Sequence, residues 1–516
     1  MDRRTALQAL ALAGTGPFAP LALTACGGPP GPITRAPSWV KFAHPETEQE
    51  LIELVHEARR RKAQLRVRGS MHSVGAAIFT DQENDNINVH LDRYNKILCW
   101  DEAAREVTVQ AGIHLGIDPL DKTTSWENSL NLQLQERGWA LPCLGGITHQ
   151  TVGGFLSTGS EGGSVRHDAG SAVVRLRIVA GDGNVYEFAP NPNDPADVDN
   201  NPFYAAGVAM GLFGIISTVT FRYIPSYKVR GIAVTCGVRD PRAPADVYAE
   251  GARGLERWFE SHDYNRTLIW PQKGIEKIEF WQAERIRSGP GFRPKPYVQL
   301  AEPLQKIASF IYQKVDAKPP PYDDATYDSM RAAIHAFISD GSEQFWDHWH
   351  RGLPTDNTIS DLWMPTEFTE LFIDIRHTTK TMRRLRDFWR DDERMERTGP
   401  YTTEVYPSKE SQFWMSPSFR RRSVRVDMLW FKSGKTNPDQ AFYPQYWELL
   451  RPLSFRFHWG KHLSPAESST GVAYRRAVIG EQLYQRWMDL RARLDPDQIF
   501  VTDYWRGHLG IPRKGA

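Results

Sequence analysis

The chain has 516 residues, too many for a single hydrophobic core, so we expect at least two large domains. Its 41% hydrophobic and 24% charged residues are typical of a globular protein, and a formal net charge of +1 excludes the global positive field that attracts nucleic acid. No two of its four cysteines have metal-ligand spacing, which excludes a zinc or iron–sulfur site, and Cys99, Cys143 and Cys236 are expected to be buried apolar residues rather than a disulfide framework.

The first 26 residues predict an export signal. Arg3-Arg4 precedes an uncharged Ala/Leu-rich run whose glycines and prolines favour a cleaved segment over a membrane span. The arginine pair resembles the twin-arginine signal, and Leu23-Thr24-Ala25-Cys26 resembles the bacterial lipobox. We therefore expect residues 1–26 to direct export from a bacterial cytoplasm, with a lipid anchor at Cys26, a flexible tether at 27–38, and a periplasmic or cell-surface location.

Helices and strands alternate from residue 39 to residue 226, which predicts one α+β domain. Pro45–Lys62 has a helical apolar stripe and an N-cap at Thr47, and it leads into the strand Gln64–Arg68. An Asp-Gly turn predicts a hairpin further along. The other predicted strands are Ile87–Leu91, Lys96–Cys99, Glu106–Ala111, Val173–Ala180, Val185–Ala189 and Ile215–Ile224, and the other predicted helices are Leu130–Arg137 and Phe203–Met210.

Two glycine-containing stretches in this region indicate a phosphate-bearing cofactor. In Arg66–Ser73 a strand runs into a Gly-Ser turn whose backbone N–H groups can hold phosphate, and His72 stands where a cofactor ring could meet it. A short turn of this kind is common and indicates little alone. The much longer glycine-rich stretch Gly145–Gly163 follows at the distance of one or two βαβ units, and the two together carry the prediction.

Residues 227–460 have a different composition, with tryptophan, proline and paired charges, and they predict a second, mixed domain. Expected helices are Pro244–His262, Tyr327–Ser339 and Thr378–Asp391, and expected strands are Tyr401–Tyr406 and Ser423–Phe431. Residues 461–516 contain a helix at Glu481–Leu494 and should form a C-terminal segment that packs back toward the first domain.

At this point several motifs resemble one family. Arg68–Ser73, Thr151–Gly163 and Gly207–Thr218 resemble the vanillyl-alcohol-oxidase-type FAD-binding domain. Phe457–Lys461 resembles the His-Trp-Gly-Lys element of sugar-1,4-lactone oxidases and alditol oxidases, and Leu494–Tyr504 resembles their closing segment, with Thr502 where the family usually has Asn. Class II cholesterol oxidase shares this architecture. The resemblance implies an α+β fold: a two-subdomain FAD-binding (PCMH-type) domain at 39–226 and a mixed α/β substrate-binding domain with a large antiparallel sheet at 227–460.

The resemblance implies that FAD is the cofactor, bonded covalently through His72. Neutral imidazole is a nucleophile near pH 7, and the alternative is a histidine that only hydrogen-bonds beside the ring. The glycines would let the backbone approach the dinucleotide, and the hydroxyl groups would donate to phosphate or ring edge. The implied cofactor-binding residues are Arg68, Gly69, Ser70, Met71, His72, Ser73, Thr151, Gly153, Gly154, Thr158, Gly159, Ser160, Gly162, Gly163 and Ile216.

For the chemistry, the resemblance points to Glu404, Lys461, His458 and Tyr406. Glu404 and Tyr406 occupy the family's Glu-x-Arg positions on one face of a strand, and Lys461 is the cation near the substrate oxygen. Tyr406 replaces the family's arginine, so either the substrate is less polar at that end or Lys461, His458 or a nearby arginine supplies the charge. Two further carboxylates, Glu367 and Glu370, are expected before a helix, either exposed or lining the pocket.

These observations predict an enzyme that oxidises a CH–OH group of a polyol, sugar or aldonolactone by hydride transfer to the flavin. Molecular oxygen or a membrane electron carrier would take the electrons. One alternative is an oxidase of a bulky or sterol-like alcohol, which the missing arginine and the aromatic content favour. The other is a degenerate flavin-fold protein that only binds, against which His72, His458 and Lys461 all argue.

Overall fold

The computed structural model describes residues 36–83, 85–287, 289, 291–315, 321–431 and 437–514. The predicted export signal, with Cys26, and nearly all of the tether lie outside these residues. Among the helices that are described, none has the length and apolar character needed to span a membrane.

The strands alternate with helices through the first half of the chain and dominate the second. The strands are β1 (Phe42–Ala43), β2 (Leu65–Arg68), β3 (Ile87–His90), β4 (Ile97–Asp101), β5 (Glu106–Gln110), β6 (Trp139–Ala140), β7 (Val173–Ala180), β8 (Val185–Phe188), β9 (Gly214–Arg222), β10 (Ile224–Pro225), β11 (Lys228–Gly237), β12 (Tyr264–Trp270), β13 (Lys277–Ile286), β14 (Gly341–His348), β15 (Thr366–Asp374), β16 (Thr403–Ser408), β17 (Ser423–Phe431) and β18 (Arg456–Phe457). The α-helices are Glu48–Arg61, Gly75–Ile78, Leu130–Glu136, Val152–Ser157, Asp197–Asn200, Pro202–Ala206, Leu255–Ser261, Glu302–Val315, Asp324–Phe337, Trp349–Gly352, Thr378–Trp389, Pro438–Ala441, Tyr443–Leu450, Val472–Ile479, Glu481–Leu494 and Asp503–Leu509.

The N-terminal part contains two sheets. β1, β3 and β2 form a small parallel sheet, and β4, β5, β9, β7 and β8 form an antiparallel sheet in that order. The helix Glu48–Arg61 begins at a capping box in which Thr47 and Glu50 each accept a backbone hydrogen bond, and it buries Leu51, Val55 and Ala58. This helix feeds β2 and so fixes where the loop after β2 emerges.

The C-terminal part is built on one eight-stranded antiparallel sheet in the order β14-β11-β13-β12-β16-β17-β15-β18. Neighbouring strands pair over long, continuous registers, such as Thr366–Asp374 against Ser423–Phe431. Because side chains alternate along a strand, Val405, Val426 and Leu371 point into the hydrophobic core on one face. The intervening residues of the same strands form the opposite face, which carries polar side chains.

The last segment of the chain contacts the first sheet. Leu65 N–H donates to Ile499 O at 2.7 Å, and Arg66 donates to Phe500 O at 3.1 Å. The indole N–H of Trp505 donates to Ala77 O at 2.9 Å. The segment after the Phe457–Lys461 motif is thereby tied to the strand that precedes the Gly69–Ser73 turn.

Two predictions from the sequence were wrong in detail. The helix expected at Pro244–His262 begins only at Leu255, because Gly251 adopts a left-handed φ of +76° and Asp246 N–H bonds to Arg253 O across a turn. Cys99 is exposed at the edge of β4 rather than buried, whereas Cys143 and Cys236 are buried free thiols.

Candidate active site

The turn after β2 presents backbone donors to a cleft. Met71 has a φ of +59°, a left-handed conformation that turns successive N–H groups toward one side. Within the part of the chain that the structure describes, the N–H groups of Met71 and Ser73 donate no hydrogen bond. Such a nest of free donors suits an anionic ligand such as a pyrophosphate.

The turn is held from both sides. Ser70 Oγ donates to His149 O at 2.6 Å, and Lys461 Nζ donates to His72 O at 2.9 Å. Val74 N–H donates to Gly460 O at 2.9 Å. The loop expected to wrap the cofactor is therefore fixed between the second glycine-rich stretch and the Phe457–Lys461 motif.

Close packing explains two of the glycines at this junction. A Cβ on Gly69 would lie 2.3 Å from Thr151 Oγ1, and a Cβ on Gly153 would lie 3.0 Å from the Ala111 Cβ. Thr151 also caps the short helix Val152–Ser157 by accepting from Gly154 N–H. The two glycine-containing stretches can approach each other only because these side chains are absent.

The cleft between these elements opens to solvent, and its volume is about 960 Å³ when the open solvent at its mouth is counted. It brings together most of the predicted site residues. Those that line it are Arg68, Gly69, Ser70, Met71, His72, Ser73, Thr151, Gly153, Gly154, Thr158, Ser160, Ile216, His458 and Lys461.

Three predicted cofactor residues lie elsewhere. A Cβ on Gly162 would lie 2.1 Å from Leu144 O, and one on Gly163 would lie 2.2 Å from Asn265 O. Gly159 has a φ of +75° and packs against Pro417. These glycines allow backbone segments to pack closely, and they do not line the cleft.

The cleft fits the predicted dinucleotide. Besides the donors of Met71 and Ser73, Gln150 Oε1 is a buried acceptor that has no hydrogen-bond partner among the described residues. Unsatisfied buried polar atoms are costly, and a ligand with both donors and acceptors would satisfy them. An isoalloxazine and pyrophosphate together offer both.

His72 lies against two side chains that can orient its ring. The ring centre is 5.2 Å from that of His149, and Nδ1 is 4.0 Å from Asp361 Oδ2. The side chain is 16% exposed, in the cleft wall. A partly exposed imidazole whose orientation is fixed by neighbouring side chains can contact the edge of a ring bound in the cleft.

His458 is a neutral imidazole whose tautomer the backbone fixes. Burial lowers the pKa of His458 to about 4, with Lys461 and Arg425 acting in the same direction and Glu370 opposing them. Gly460 N–H donates to Nδ1 at 3.1 Å, so Nε2 carries the ring proton, 3.3 Å from Ser160 Oγ. His458 thus presents an uncharged N–H donor at the cleft.

The polar face of the large sheet carries Glu404 and Tyr406, which do not themselves line the cleft. Tyr406 pairs with Arg425 across β16 and β17, and Arg425 donates to the Tyr406 hydroxyl. A guanidinium group therefore lies next to Tyr406, and it belongs to Arg425 of the neighbouring strand β17. Of the alternatives left open by the sequence, the structure places a nearby arginine there.

Glu367 and Glu370 lie on β15, the strand that precedes the helix Thr378–Trp389, as expected. Glu370 is buried and its Oε1 lies 2.6 Å from Arg425 Nη2. Burial alone would raise the pKa of Glu370, but Arg425, His458 and Lys461 lower it overall, with Arg425 contributing most. Glu367 bonds to His462 at 3.2 Å.

Arg266 on β12 connects Glu404 to a loop over the cleft. Its guanidinium forms an ion pair with Asp356 and lies 3.3 Å from Glu404 Oε1. The same loop bonds to the second glycine-rich stretch through Asp356 N–H to Gly146 O at 3.0 Å and Thr148 N–H to Asn357 Oδ1 at 2.8 Å. Burial raises the pKa of Glu404 to about 7; Asp356 and Glu370 act in the same direction, while Arg266 and Arg425 oppose the shift.

Sequence reasoning missed five residues of this site: Arg266, Gln150, Asp356, Arg425 and Asp427. The signal in three cases was a charged residue inside a largely buried strand, as with Arg425 and Asp427 in β17 and Arg266 in β12. Charged residues are rarely fully buried unless they are paired or functional. Gln150 and Asp356 carry no such pattern.

Comparison with known protein families matches two consecutive parts of the chain to two models. Residues 41–189 match the model described as an FAD binding domain, and residues 219–508 match the model described as D-arabinono-1,4-lactone oxidase. The second match covers more than half of the chain.

Individual relatives agree with these matches. The chain is 21% identical to L-gulonolactone oxidase of Mus musculus, covering 90% of this chain and 93% of the relative. It is 22% identical to L-gulono-1,4-lactone dehydrogenase of Mycobacterium tuberculosis, covering 93% and 98%. D-Arabinono-1,4-lactone oxidase of Saccharomyces cerevisiae is 33% identical over 37% of this chain and 33% of its own length.

Among solved structures, cholesterol oxidase from Brevibacterium sterolicum superposes with a TM-score of 0.67 at 15% identity, covering 91% of this chain and 93% of that one. The likeness confirms the predicted fold class, a PCMH-type FAD-binding domain with a mixed domain built on a large antiparallel sheet. At 15% identity this similarity supports the fold and no conclusion about the substrate.

Proposed function

The chain belongs to the D-arabinono-1,4-lactone oxidase family and is an FAD-dependent oxidoreductase of CH–OH groups, and from this premise we propose that it oxidises a polar, polyhydroxylated substrate, an aldonolactone or a related polyol. One observation carries the choice of substrate. The sheet face beside the cleft is dense with charged side chains, Glu370, Glu404, Arg266 and Arg425, and Lys461 stands in the cleft wall. Hydroxyl and carbonyl oxygens can join the hydrogen bonds of such a face, whereas a sterol would bring mainly apolar surface against it.

A bulky, less polar alcohol was an alternative partly because Tyr406 stands where the family has an arginine. Because Arg425 places a guanidinium at Tyr406 from the next strand, that position is not less polar than in the family pattern. We therefore favour the lactone or polyol over the sterol-like substrate.

We assign roles to the residues of the site as follows. Residues 68–73 with Gln150, Gly153, Gly154 and Ile216 would hold FAD, which when bound accepts a hydride from the substrate carbon. Glu404 accepts the hydroxyl proton, since a carboxyl group with a pKa of about 7 is ionised in half of the molecules at neutral pH. Lys461 and the Nε2–H of His458 donate to the substrate oxygen.

We further propose that His72 bonds the flavin covalently. Its place in the cleft wall, and a backbone carbonyl held by Lys461, support this. Acid precipitation of the holoenzyme tests it: the flavin should stay with the pelleted chain in the wild type and in the matched control His149→Ala. In His72→Ala it should pass to the supernatant. Because His149 packs against His72, the exposed His56→Ala on the helix Glu48–Arg61 is the control for a histidine remote from the cleft. Free flavin from the wild type would overturn the covalent bond without affecting the rest of the assignment.

Turnover tests the function itself. Purified enzyme should form a carbonyl product from aldonolactones or alditols and not from a sterol. Peroxide formation in air then separates an oxidase from a dehydrogenase that needs an electron carrier, a choice for which the relatives' names offer both precedents. Turnover of the sterol alone would overturn the proposed substrate class.

Export and lipid attachment also remain proposals. The Arg3-Arg4 pair and Leu23–Cys26 support them at the level of sequence. Cells fed a labelled fatty acid should label the wild-type protein and not Cys26→Ala, with Cys99→Ala as the control. Wild-type protein that carries no label and stays in the cytoplasm would contradict both export and lipid attachment.

A further inference from the structure

Three carboxyl groups form one row across adjacent strands of the large sheet. Glu404 on β16 lies opposite Asp427 on β17, and Asp427 lies opposite Glu370 on β15. Side chains at directly opposed positions share a face and lie about 5 Å apart at Cβ. The exposed fractions of these side chains are 14%, 1% and 3%, so little solvent separates them.

The two ends of the row are neutralised and its centre is not. Glu370 lies 2.6 Å from Arg425, and Glu404 lies 3.3 Å from Arg266. Asp427 Oδ2 is 4.0 Å from the Arg425 guanidinium, beyond hydrogen-bond distance. Neither Asp427 oxygen has a hydrogen-bond partner within the described segments.

A buried, unpaired carboxylate between two others is strongly disfavoured. Desolvation penalises the charge, and carboxylates in contact do not all ionise. The charged groups that face Asp427 are Glu370, Glu404, Arg425 and Lys461. Burial, with Glu370 and Glu404, raises the pKa of Asp427 well above its usual range, against the opposing effects of Arg425 and Lys461.

We propose that Asp427 carries a proton at neutral pH and donates it in a hydrogen bond that positions the Glu404 carboxylate as acceptor of the substrate's hydroxyl proton. Glu404 is the recipient rather than Glu370 because Glu370 already has Arg425, whereas Glu404 shares Arg266 with Asp356. This inference rests on the proposed function.

One proton moves in the proposed step. In the proton-transfer step the substrate O–H bond breaks and a Glu404 Oε–H bond forms, while Asp427 keeps its own proton and no electrons move within the row. Neither Glu404 nor Asp427 lines the cleft, and Asp427 is the more deeply buried of the two, so it acts through Glu404 and is a positioning residue.

Infrared spectra of the resting holoenzyme test the protonation without substrate. At about pH 9 Glu404 is ionised, and the protonated-carboxyl band of Asp427 should appear in the difference between the wild-type spectrum and that of Asp427→Asn. Burial raises the pKa of Glu161 to about 8, so a second band that Glu161→Gln removes is expected at this pH. Glu279→Gln, which removes a different buried carboxyl group of the sheet, should leave the Asp427 band in place. A wild-type spectrum from which Asp427→Asn removes no protonated-carboxyl band would overturn the proposal.

The pH profile of kcat/KM tests the positioning role. Asp427→Asn keeps a neutral donor, so the acidic limb set by Glu404 should stay within about 0.5 pH unit of the wild type. Asp427→Leu removes the donor and should move the limb upward and lower kcat about tenfold relative to Asp427→Asn. A limb that moves down by about one unit in Asp427→Asn would mean that a negative charge had been removed, which contradicts the proposal.

Failure of this inference and failure of the proposed function are distinguishable. If no lactone or polyol is oxidised, the infrared result still decides whether Asp427 is protonated. If Asp427→Leu does not fold with FAD, the infrared spectrum and pH limb of Asp427→Asn decide the proposal alone.

Discussion

Arg425 lies directly opposite Tyr406 in the register of β16 and β17, with its guanidinium carbon 3.8 Å from the centre of the Tyr406 ring. The same guanidinium donates to Glu161 O at 2.7 Å and pairs with Glu370. One arginine therefore joins the polar face of the large sheet to the second glycine-rich stretch.

The first prediction concerns this arginine. Arg425→Met should destabilise the protein by about 3–5 kcal/mol, because it leaves the buried Glu370 carboxylate without its cation. Tyr406→Phe loses only a hydrogen bond to the hydroxyl and should cost about 1 kcal/mol. Urea unfolding of the two variants checks the difference; equal costs would show that Arg425 does not neutralise Glu370.

The second prediction concerns Lys461. Lys461→Met should lower kcat/KM by about 100-fold or more, since it removes a cation in the cleft wall at which we place the substrate oxygen. Lys461→Arg keeps the charge and should recover part of the loss. Steady-state kinetics at matched flavin content measures both, and a Lys461→Met enzyme with wild-type kcat/KM would remove Lys461 from the site.

The third prediction is a pH dependence of stability from His458. Its folded pKa of about 4 lies below the ordinary value of 6.5, so between these values the unfolded chain binds more protons. Stability should therefore fall as the pH decreases from 6.5 to 4, with a contribution of up to about 1.4 kcal/mol per pH unit. His458→Asn, which can still accept from Gly460 N–H, should show a shallower slope in denaturant titrations. Identical slopes would contradict a neutral buried imidazole.

The fourth prediction concerns the glycines outside the cleft. Gly163→Ala should destabilise the fold by about 1–3 kcal/mol, because a Cβ there would lie 2.2 Å from Asn265 O. Gly237→Ala is the matched control, since nothing lies within 4 Å of a Cβ at that position. Thermal unfolding compares them, and a Gly163→Ala protein as stable as Gly237→Ala would show that the junction can relax.

Local signals in the sequence located the cofactor loop well. The cap at Thr47, the apolar stripe of the following helix and the turn after Arg68 are all short-range features, and the structure forms the helix and strand where they predict them. The motifs around His72 and Lys461 also identified the correct family. The structure then brings those two residues into contact.

Local signals could not predict which polar side chains share the face of the large sheet that carries Glu404 and Tyr406. Which residue of β17 opposes Tyr406 or Glu404 depends on strand register, and register is set by pairing between distant segments. The burial of Glu370 could not be predicted, because Arg425, the residue that makes this burial tolerable, is far away in sequence. The substitution of Tyr406 for arginine was visible in the sequence, but its compensation from the adjacent strand was not.

The most direct measurement of the central claim is anaerobic reduction of the holoenzyme followed by its visible spectrum. With excess aldonolactone or alditol the yellow absorbance should bleach in the wild type, and it should bleach far more slowly in Lys461→Met. An oxidised spectrum that no lactone or polyol changes, although a chemical reductant bleaches it, would contradict the account.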